Sequence, residues 1–142
     1  MPRTLVMAAV LGAAVLGVAA AWQLAAQIGA RTVREGVYSP AQAARGERLF
    51  GSICTNCHEI AEFTGVGAYL EEVDGKPLWE TFEYISAEMP EDDPGSLRPE
   101  DYADVLAYIF SVYGMPSGET DLPVDQESLE IITIAPPVLP DS

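Results

Sequence analysis

The sequence predicts a mainly α-helical domain with about three main helices and long loops. Three windows place apolar residues at helical spacing and begin with a recognised start signal. Glycine and proline interrupt the segments between these windows, so few residues remain for a sheet. Three modest helices make a thin core, and a large buried cofactor would supply the missing apolar volume.

Each predicted helix begins at a residue suited to a helix start. Ser39 can cap free backbone N–H groups, and Pro40 fits the first helical position of SPAQAARGERLF. Pro77 opens the second helix, PLWETFEYISAE, and Pro99 opens the third, PEDYADVLAYIFSVYG. Gly114 is a natural terminator of the third helix.

The chain divides into three predicted regions. We assign residues 1–30 to an export signal or N-terminal membrane anchor, residues 31–122 to the helical domain, and residues 123–142 to an extended proline-rich tail. Residues 60–75 are predicted as loop because glycines interrupt them, and residues 129–134 are predicted as strand-like.

The first region has the pattern of an exported protein. Arg3 precedes the apolar run Leu5–Ala21, and Ala19–Ala21 offer a small-residue cleavage site. The uncharged stretch continues to Ala30 and is long enough to cross a bilayer, which takes about 20 helical residues. Cleavage is favoured because the strongly apolar part has the length of a signal peptide, while a retained anchor through residues 5–30 stays open. Either alternative places the domain outside the cytoplasm.

The chain is strongly acidic. Its formal net charge is −15 at pH 7, with 7 basic and 22 acidic side chains, and removal of the first 30 residues takes away one basic residue, Arg3, and no acidic one. Such a charge repels nucleic acid and anionic lipid, so neither is expected as a partner. It favours encounter with a basic protein surface.

Cys54, Cys57 and His58 form the pattern C-x-x-C-H, which is typical of covalent attachment of haem c. Two thiols at this spacing add to the two vinyl groups of one haem and form thioethers. The histidine that follows gives an imidazole nitrogen to the iron. We therefore predict one haem c, tethered by Cys54 and Cys57 and ligated by His58.

Three other uses of these cysteines fit less well. A structural zinc site needs four ligands, and the sequence has no second Cys/His cluster to complete them. A thioredoxin-like dithiol belongs to a βαβ unit, which the helical pattern does not predict. A disulfide across two intervening residues would be strained and would leave His58 without a role.

The sixth iron ligand is predicted to be Met89. His58 is the only histidine, so the opposite axial ligand is methionine, lysine or none. Met89 ends the second helix and begins the polar loop MPEDDPGSLR, where a thioether has no core to join. Met115 follows the third helix directly, where an apolar residue usually packs the helix end, so Met89 is favoured over it.

A histidine–methionine pair leaves no open position on the iron, which favours electron transfer over catalysis. Peroxidase or gas-sensing chemistry would need an open iron and a second acid–base group, for which the chain has no further histidine. We therefore predict an electron-transfer protein with no catalytic residues and with redox proteins as partners. The acidic residues beside Met89 fit a solvated face, with docking of a basic partner as the alternative.

Around these motifs the chain resembles the class I single-haem cytochromes c, over about residues 38–122. Gly46 and Phe50 stand eight and four residues before Cys54, and DVLAYI in the third helix contains Tyr108. The resemblance implies the class I cytochrome c fold, wrapped round one covalently bound haem, in which these three residues form the crossing of the first and last helices. A glycine inside a helix costs about 1 kcal/mol relative to alanine, which a close helix approach would explain.

A closer similarity is to small cytochromes c that accept electrons from periplasmic quinoprotein dehydrogenases. The segments that carry it are VREGVYSPAQAARGERLF, MPEDDPGSLRPEDYADVLAYI and YGMPSGETDLP. It implies a c-haem electron carrier of mainly α fold. We predict a periplasmic carrier that cycles between Fe(III) and Fe(II), taking electrons from a dehydrogenase or quinol-oxidising complex and passing them to an oxidase or another cytochrome. The alternative is a membrane-anchored subunit of a fixed respiratory or photosynthetic complex at the outer face of the bacterial cytoplasmic membrane.

Overall fold

The computed structural model describes residues 31–64 and 67–135. The export signal or anchor predicted for residues 1–30 and the end of the predicted tail, residues 136–142, lie outside the described residues. The described part is mainly helical, as predicted. In chain order its strands and α-helices are β1 (Arg31–Thr32), α1 (Pro40–Ser52), α2 (Tyr69–Glu72), α3 (Leu78–Glu88), α4 (Pro99–Val112), α5 (Gln126–Glu130) and β2 (Ile132–Thr133).

The three long helices, α1, α3 and α4, are the three predicted ones, and local signals explain the starts of α1 and α4 and the end of α4. Ser39 Oγ accepts a hydrogen bond from the Gln42 N–H at 3.1 Å, and Pro40 occupies the first position of α1. Pro99 occupies the same position in α4. Gly114 lies just beyond the end of α4 with φ +89°, a conformation that favours glycine.

Helices α1 and α4 cross in close contact at Gly46. A Cβ at Gly46 would lie 1.8 Å from the Asp104 carbonyl oxygen and 2.9 Å from the Tyr108 Cβ, so only glycine allows this approach. Beside it the Phe50 and Tyr108 rings pack with centroids 5.5 Å apart. The crossing implied by the resemblance is therefore confirmed.

A partly buried ion pair accompanies the same crossing. Arg45 on α1 donates two hydrogen bonds of 2.8 Å to the Asp104 carboxylate on α4, whose side chain is only 6% exposed. Arg45 Nη2 also donates a hydrogen bond to the Asp121 carboxylate at 2.7 Å, and Asp121 accepts another from the Ser39 hydroxyl. These contacts join α1, α4 and the segment after α4.

The segment predicted as loop over residues 60–75 contains two short helices. Ile60–Phe63 form a 3₁₀ helix and Tyr69–Glu72 form α2. Leu70 is 1% exposed. Helices this short are below the length at which apolar periodicity can be recognised in a sequence, and burial of Leu70 stabilises one of them.

The prediction of an extended tail from residue 123 is wrong for its first part. Asp125 caps α5 by accepting a hydrogen bond from the Ser128 N–H at 2.9 Å, and Leu129 within this helix is 0% exposed. The strand-like prediction for residues 129–134 holds only for β2, which pairs in parallel with β1. The segment packs on the core because three of its apolar side chains are buried there: Leu129, Ile132 and Ile134.

The core lies around α4 and extends to α1, α3 and the segment from α5 to β2. Its largest fully buried side chains are Phe110, Leu70, Leu78, Leu106, Leu129, Ile134 and Val33. Within the described ranges no helix combines the length and hydropathy needed to cross a membrane.

Candidate functional site

The structure holds Cys54, Cys57 and His58 together on one tight turn directly after α1. Cys54–Asn56 form a 3₁₀ helix, and the Cys54 carbonyl accepts hydrogen bonds from the Cys57 N–H at 3.1 Å and the His58 N–H at 2.8 Å. Both thiols are free, with Cys57 exposed and Cys54 half-buried. Burial raises the pKa of the Cys54 thiol. The turn therefore presents two thiols and an imidazole from five consecutive residues.

The His58 ring has two defined neighbours. Its Nδ1 lies 3.0 Å from Glu62 Oε2, and its centroid lies 5.8 Å from that of the Phe63 ring. An ionised carboxylate only accepts hydrogen bonds, so Nδ1 is the protonated nitrogen of the neutral ring. The lone pair is then on Nε2, the nitrogen that remains for a metal.

The Glu62 carboxylate is held from two sides. Its Oε1 accepts from the Glu59 N–H at 2.8 Å, while Oε2 faces His58. These contacts, the Glu59 N–H first and the His58 ring second, hold the pKa of Glu62 below its ordinary value. Glu62 is therefore positioned as an anionic hydrogen-bond acceptor beside His58.

Met89 lies at the end of α3, at the start of the polar loop, and is half-buried. Its carbonyl accepts a hydrogen bond of 2.7 Å from the Tyr102 hydroxyl on α4. The same hydroxyl oxygen accepts from the Leu97 N–H at 3.4 Å. Tyr102, itself 4% exposed, therefore anchors both ends of the loop that carries Met89.

Met115 has the surroundings of a core residue. It is 4% exposed, its N–H donates to the Phe110 carbonyl at 2.9 Å, and its carbonyl accepts from the Tyr38 hydroxyl at 2.7 Å. The expectation that Met115 packs the end of the third helix is confirmed.

The two candidate ligand segments are anchored to the same helix. Tyr108 on α4 packs on Phe50, whose ring lies 5.7 Å from that of Phe63 beside His58. Tyr102, six residues earlier on α4, binds the Met89 backbone. Six residues advance about 9 Å along a helix. The two segments are therefore attached to α4 at points about 9 Å apart along its axis.

The residues present fit a haem. The donor set consists of two free thiols, an imidazole with a free Nε2 and a half-buried thioether, which are the groups that bind haem c. Four apolar side chains on the segments that carry the candidate ligands are only half-buried: Ile60 and Phe63 after His58, and Trp79 and Ile85 on α3, which precedes Met89. An apolar group of haem size would cover such side chains.

Two functional candidates were not found from the sequence. Glu62 stands four residues after His58, a spacing at which side chains can meet, but many such pairs never interact. Tyr102 has the apolar spacing of an ordinary core residue, and its hydroxyl contact joins positions 13 residues apart. Only the folded arrangement of α3, the loop and α4 reveals that contact.

Residues 41–109 match the family model described as cytochrome c oxidase, cbb3-type, subunit III. No curated protein and no solved structure matches the chain at a significant level. The matched span runs from the start of α1 nearly to the end of α4. Domains of this family carry covalently bound haem c, are typically extracytoplasmic, and serve haem-based electron transfer rather than enzymatic catalysis. The matched span, just under half of the chain, and the mainly helical fold together support a class I c-type cytochrome domain.

Proposed function

We propose that this protein carries single electrons outside the cytoplasm through one haem c, attached by Cys54 and Cys57 and ligated by His58 and Met89. The observation that carries the proposal is the turn at residues 54–58, where the backbone N–H groups of Cys57 and His58 both donate to the Cys54 carbonyl and so keep two free thiols and an imidazole on one turn. Haem c, when bound, supplies an iron that alternates between Fe(III) and Fe(II).

His58 would be the stronger of the two iron ligands and would bind through Nε2. Its backbone N–H is bound to the Cys54 carbonyl, which ties the backbone of the ligand to that of the first tether. The contact of Nδ1 with Glu62 selects the tautomer that leaves Nε2 free. Both contacts reduce the reorganisation that a ligand would otherwise undergo when the charge of the metal changes.

Met89 would supply the second ligand. A thioether is a weak donor that favours Fe(II) and raises the reduction potential. The Tyr102 hydroxyl holds the Met89 carbonyl, so the loop stays closed and external ligands are kept away from that side. Met115 is a poorer candidate because its buried place in the core supports the fold.

The two methionines give a matched test of this ligand set. With the haem-loaded protein we expect a low-spin spectrum with a Met–iron charge-transfer band, which Met89→Ala loses and Met115→Leu retains. The reduced Met89→Ala protein should also bind carbon monoxide rapidly, while the wild type does not. A high-spin wild-type spectrum, or loss of the band in Met115→Leu alone, would contradict the assignment.

The partners we propose are redox proteins with a basic docking surface. Acidic residues at the end of α3 and in the loop after Met89 are exposed: Glu88, Glu91, Asp92 and Asp93. Opposite charge on a partner would speed encounter more than it would strengthen the complex. A dehydrogenase or quinol-oxidising complex is proposed as donor, and an oxidase or another cytochrome as acceptor.

A second candidate is a subunit of a fixed respiratory or photosynthetic complex, anchored to the membrane through residues 5–30. The description of the matched family, subunit III of an oxidase, favours it. We expect a freely diffusing periplasmic carrier, and mass spectrometry of the mature N-terminus separates the two. A chain that begins near residue 22 or 27 supports the free carrier, whereas a chain that retains residues 5–30 supports the anchored subunit.

A further inference from the structure

We infer that Glu62 is a positioning residue for His58, which lowers the reduction potential of the iron by accepting the Nδ1 hydrogen bond with a carboxylate. The inference rests on the proposed ligation by His58 and extends it to a residue that does not touch the metal. It concerns the value of the potential, which the ligand pair alone does not determine.

The geometry of the contact is specific to this pair of side chains. Glu62 Oε2 lies 3.0 Å from His58 Nδ1, within the range of an N–H···O hydrogen bond, and the acceptor is a carboxylate. Glu62 Oε1 is bound to the Glu59 N–H at 2.8 Å, and the Glu62 N–H is bound to the Glu59 carbonyl at 3.0 Å. The backbone before the 3₁₀ helix Ile60–Phe63 therefore sets the direction of the carboxylate.

The chemical consequence follows from the charge on the acceptor. A carboxylate draws the Nδ1 proton more strongly than a neutral acceptor does, so it raises the basicity of Nε2. A more basic ligand stabilises Fe(III) more than Fe(II), because Fe(III) has the higher charge. Loss of the carboxylate should therefore shift the equilibrium towards the ferrous protein and raise the potential.

Glu62→Gln and Glu59→Gln form a matched pair of variants. Each removes one negative charge close to His58 in sequence, but only the Glu62 side chain is bonded to the ring. Glutamine at position 62 keeps an oxygen that can accept from the Glu59 N–H, so the 3₁₀ helix should form. We expect Glu62→Gln to shift the ferrous-to-ferric ratio about tenfold at a given solution potential, which is 59 mV for a one-electron couple. Glu59→Gln should shift it less than threefold.

The second measurement reports on the hydrogen bond itself. In the reduced, diamagnetic protein, the His58 Nδ1–H proton should resonate far downfield and exchange slowly with solvent in the wild type, and should move upfield in Glu62→Gln. A purely structural role for Glu62 would change the unfolding free energy and leave this resonance in place. If Glu62→Gln cannot be obtained with haem attached, the chemical shift of the His58 Nδ1–H proton in the wild type tests the inference by itself. A shift typical of a free imidazole rejects the inference.

Equal potential shifts in the two variants would overturn the positioning role, since they would reflect charge alone. The spectrum of the wild type separates this failure from failure of the proposed function. A low-spin, six-coordinate wild type with an unchanged potential in Glu62→Gln rejects only the role of Glu62. A wild type in which His58 is not a ligand rejects the proposed function and this inference with it.

Discussion

Gly46→Ala should destabilise the protein by about 3 kcal/mol or more, the upper end of the cost of overpacking a core. The new Cβ would lie 1.8 Å from the Asp104 carbonyl oxygen, and the neighbouring atom belongs to the backbone of α4. A flexible side chain could turn aside, but a helix backbone cannot. The two helices would have to separate, although the Arg45–Asp104 pair and the Phe50–Tyr108 contact hold them together on both sides of the glycine.

Gly51→Ala provides the matched control on the same helix. A Cβ at Gly51 meets no atom within 4 Å, so the substitution adds helix propensity without a clash. It should stabilise the protein by up to about 1 kcal/mol. Guanidinium unfolding of the haem-loaded variants, followed by helical circular dichroism, measures both changes. Stability changes of the same sign in the two variants would refute the account of the crossing.

Arg45→Met should cost about 2 kcal/mol of unfolding free energy. It leaves the Asp104 carboxylate, 6% exposed, without the two charge-assisted hydrogen bonds that it accepts at 2.8 Å. Removal of one partner from a fully buried pair costs about 3–5 kcal/mol. The expected loss is smaller here because the Arg45 side chain is 41% exposed and water screens part of the interaction.

The control for this variant is Arg48→Met. Arg48 is exposed on the same helix and takes part in no ion pair within the described residues. Its replacement should change stability by less than about 0.5 kcal/mol. Asp104→Asn, added to Arg45→Met, should recover part of the loss because it removes the unpaired charge. A further loss in the double variant would show that Arg45 acts through packing of its stem.

The sequence was informative wherever the cause of a structure lies within a few residues. Ser39 and Pro40 begin α1 through contacts inside one helical turn, and Gly114 ends α4 through its own backbone freedom. The C-x-x-C-H spacing is local for the same reason, since one turn of backbone must present both thiols. The short helices could not be predicted in this way, because burial of residues such as Leu70 and Leu129 against the rest of the fold stabilises them.

Met89 and Met115 show where sequence reasoning reaches its limit. Both precede a proline and both follow a long helix, and the sequence favoured Met89 only through the polar loop that follows it. The fold separates them, since Met115 is 4% exposed within the core while the Met89 backbone is held by a tyrosine from another helix. Burial depends on what packs from elsewhere in the chain, which no local window contains.

By itself the sequence determined the helical class, the three long helices, the candidate haem tethers and the acidic charge. Only the tertiary structure decided that residues 132–133 pair with residues 31–32, that Tyr102 anchors the loop of Met89, and that Glu62 rather than another acidic residue faces His58. The physical reason is the range of the interactions. Caps, turns and ligand spacing act over a few residues, whereas pairing and burial join segments up to about a hundred residues apart and depend on the whole chain having folded.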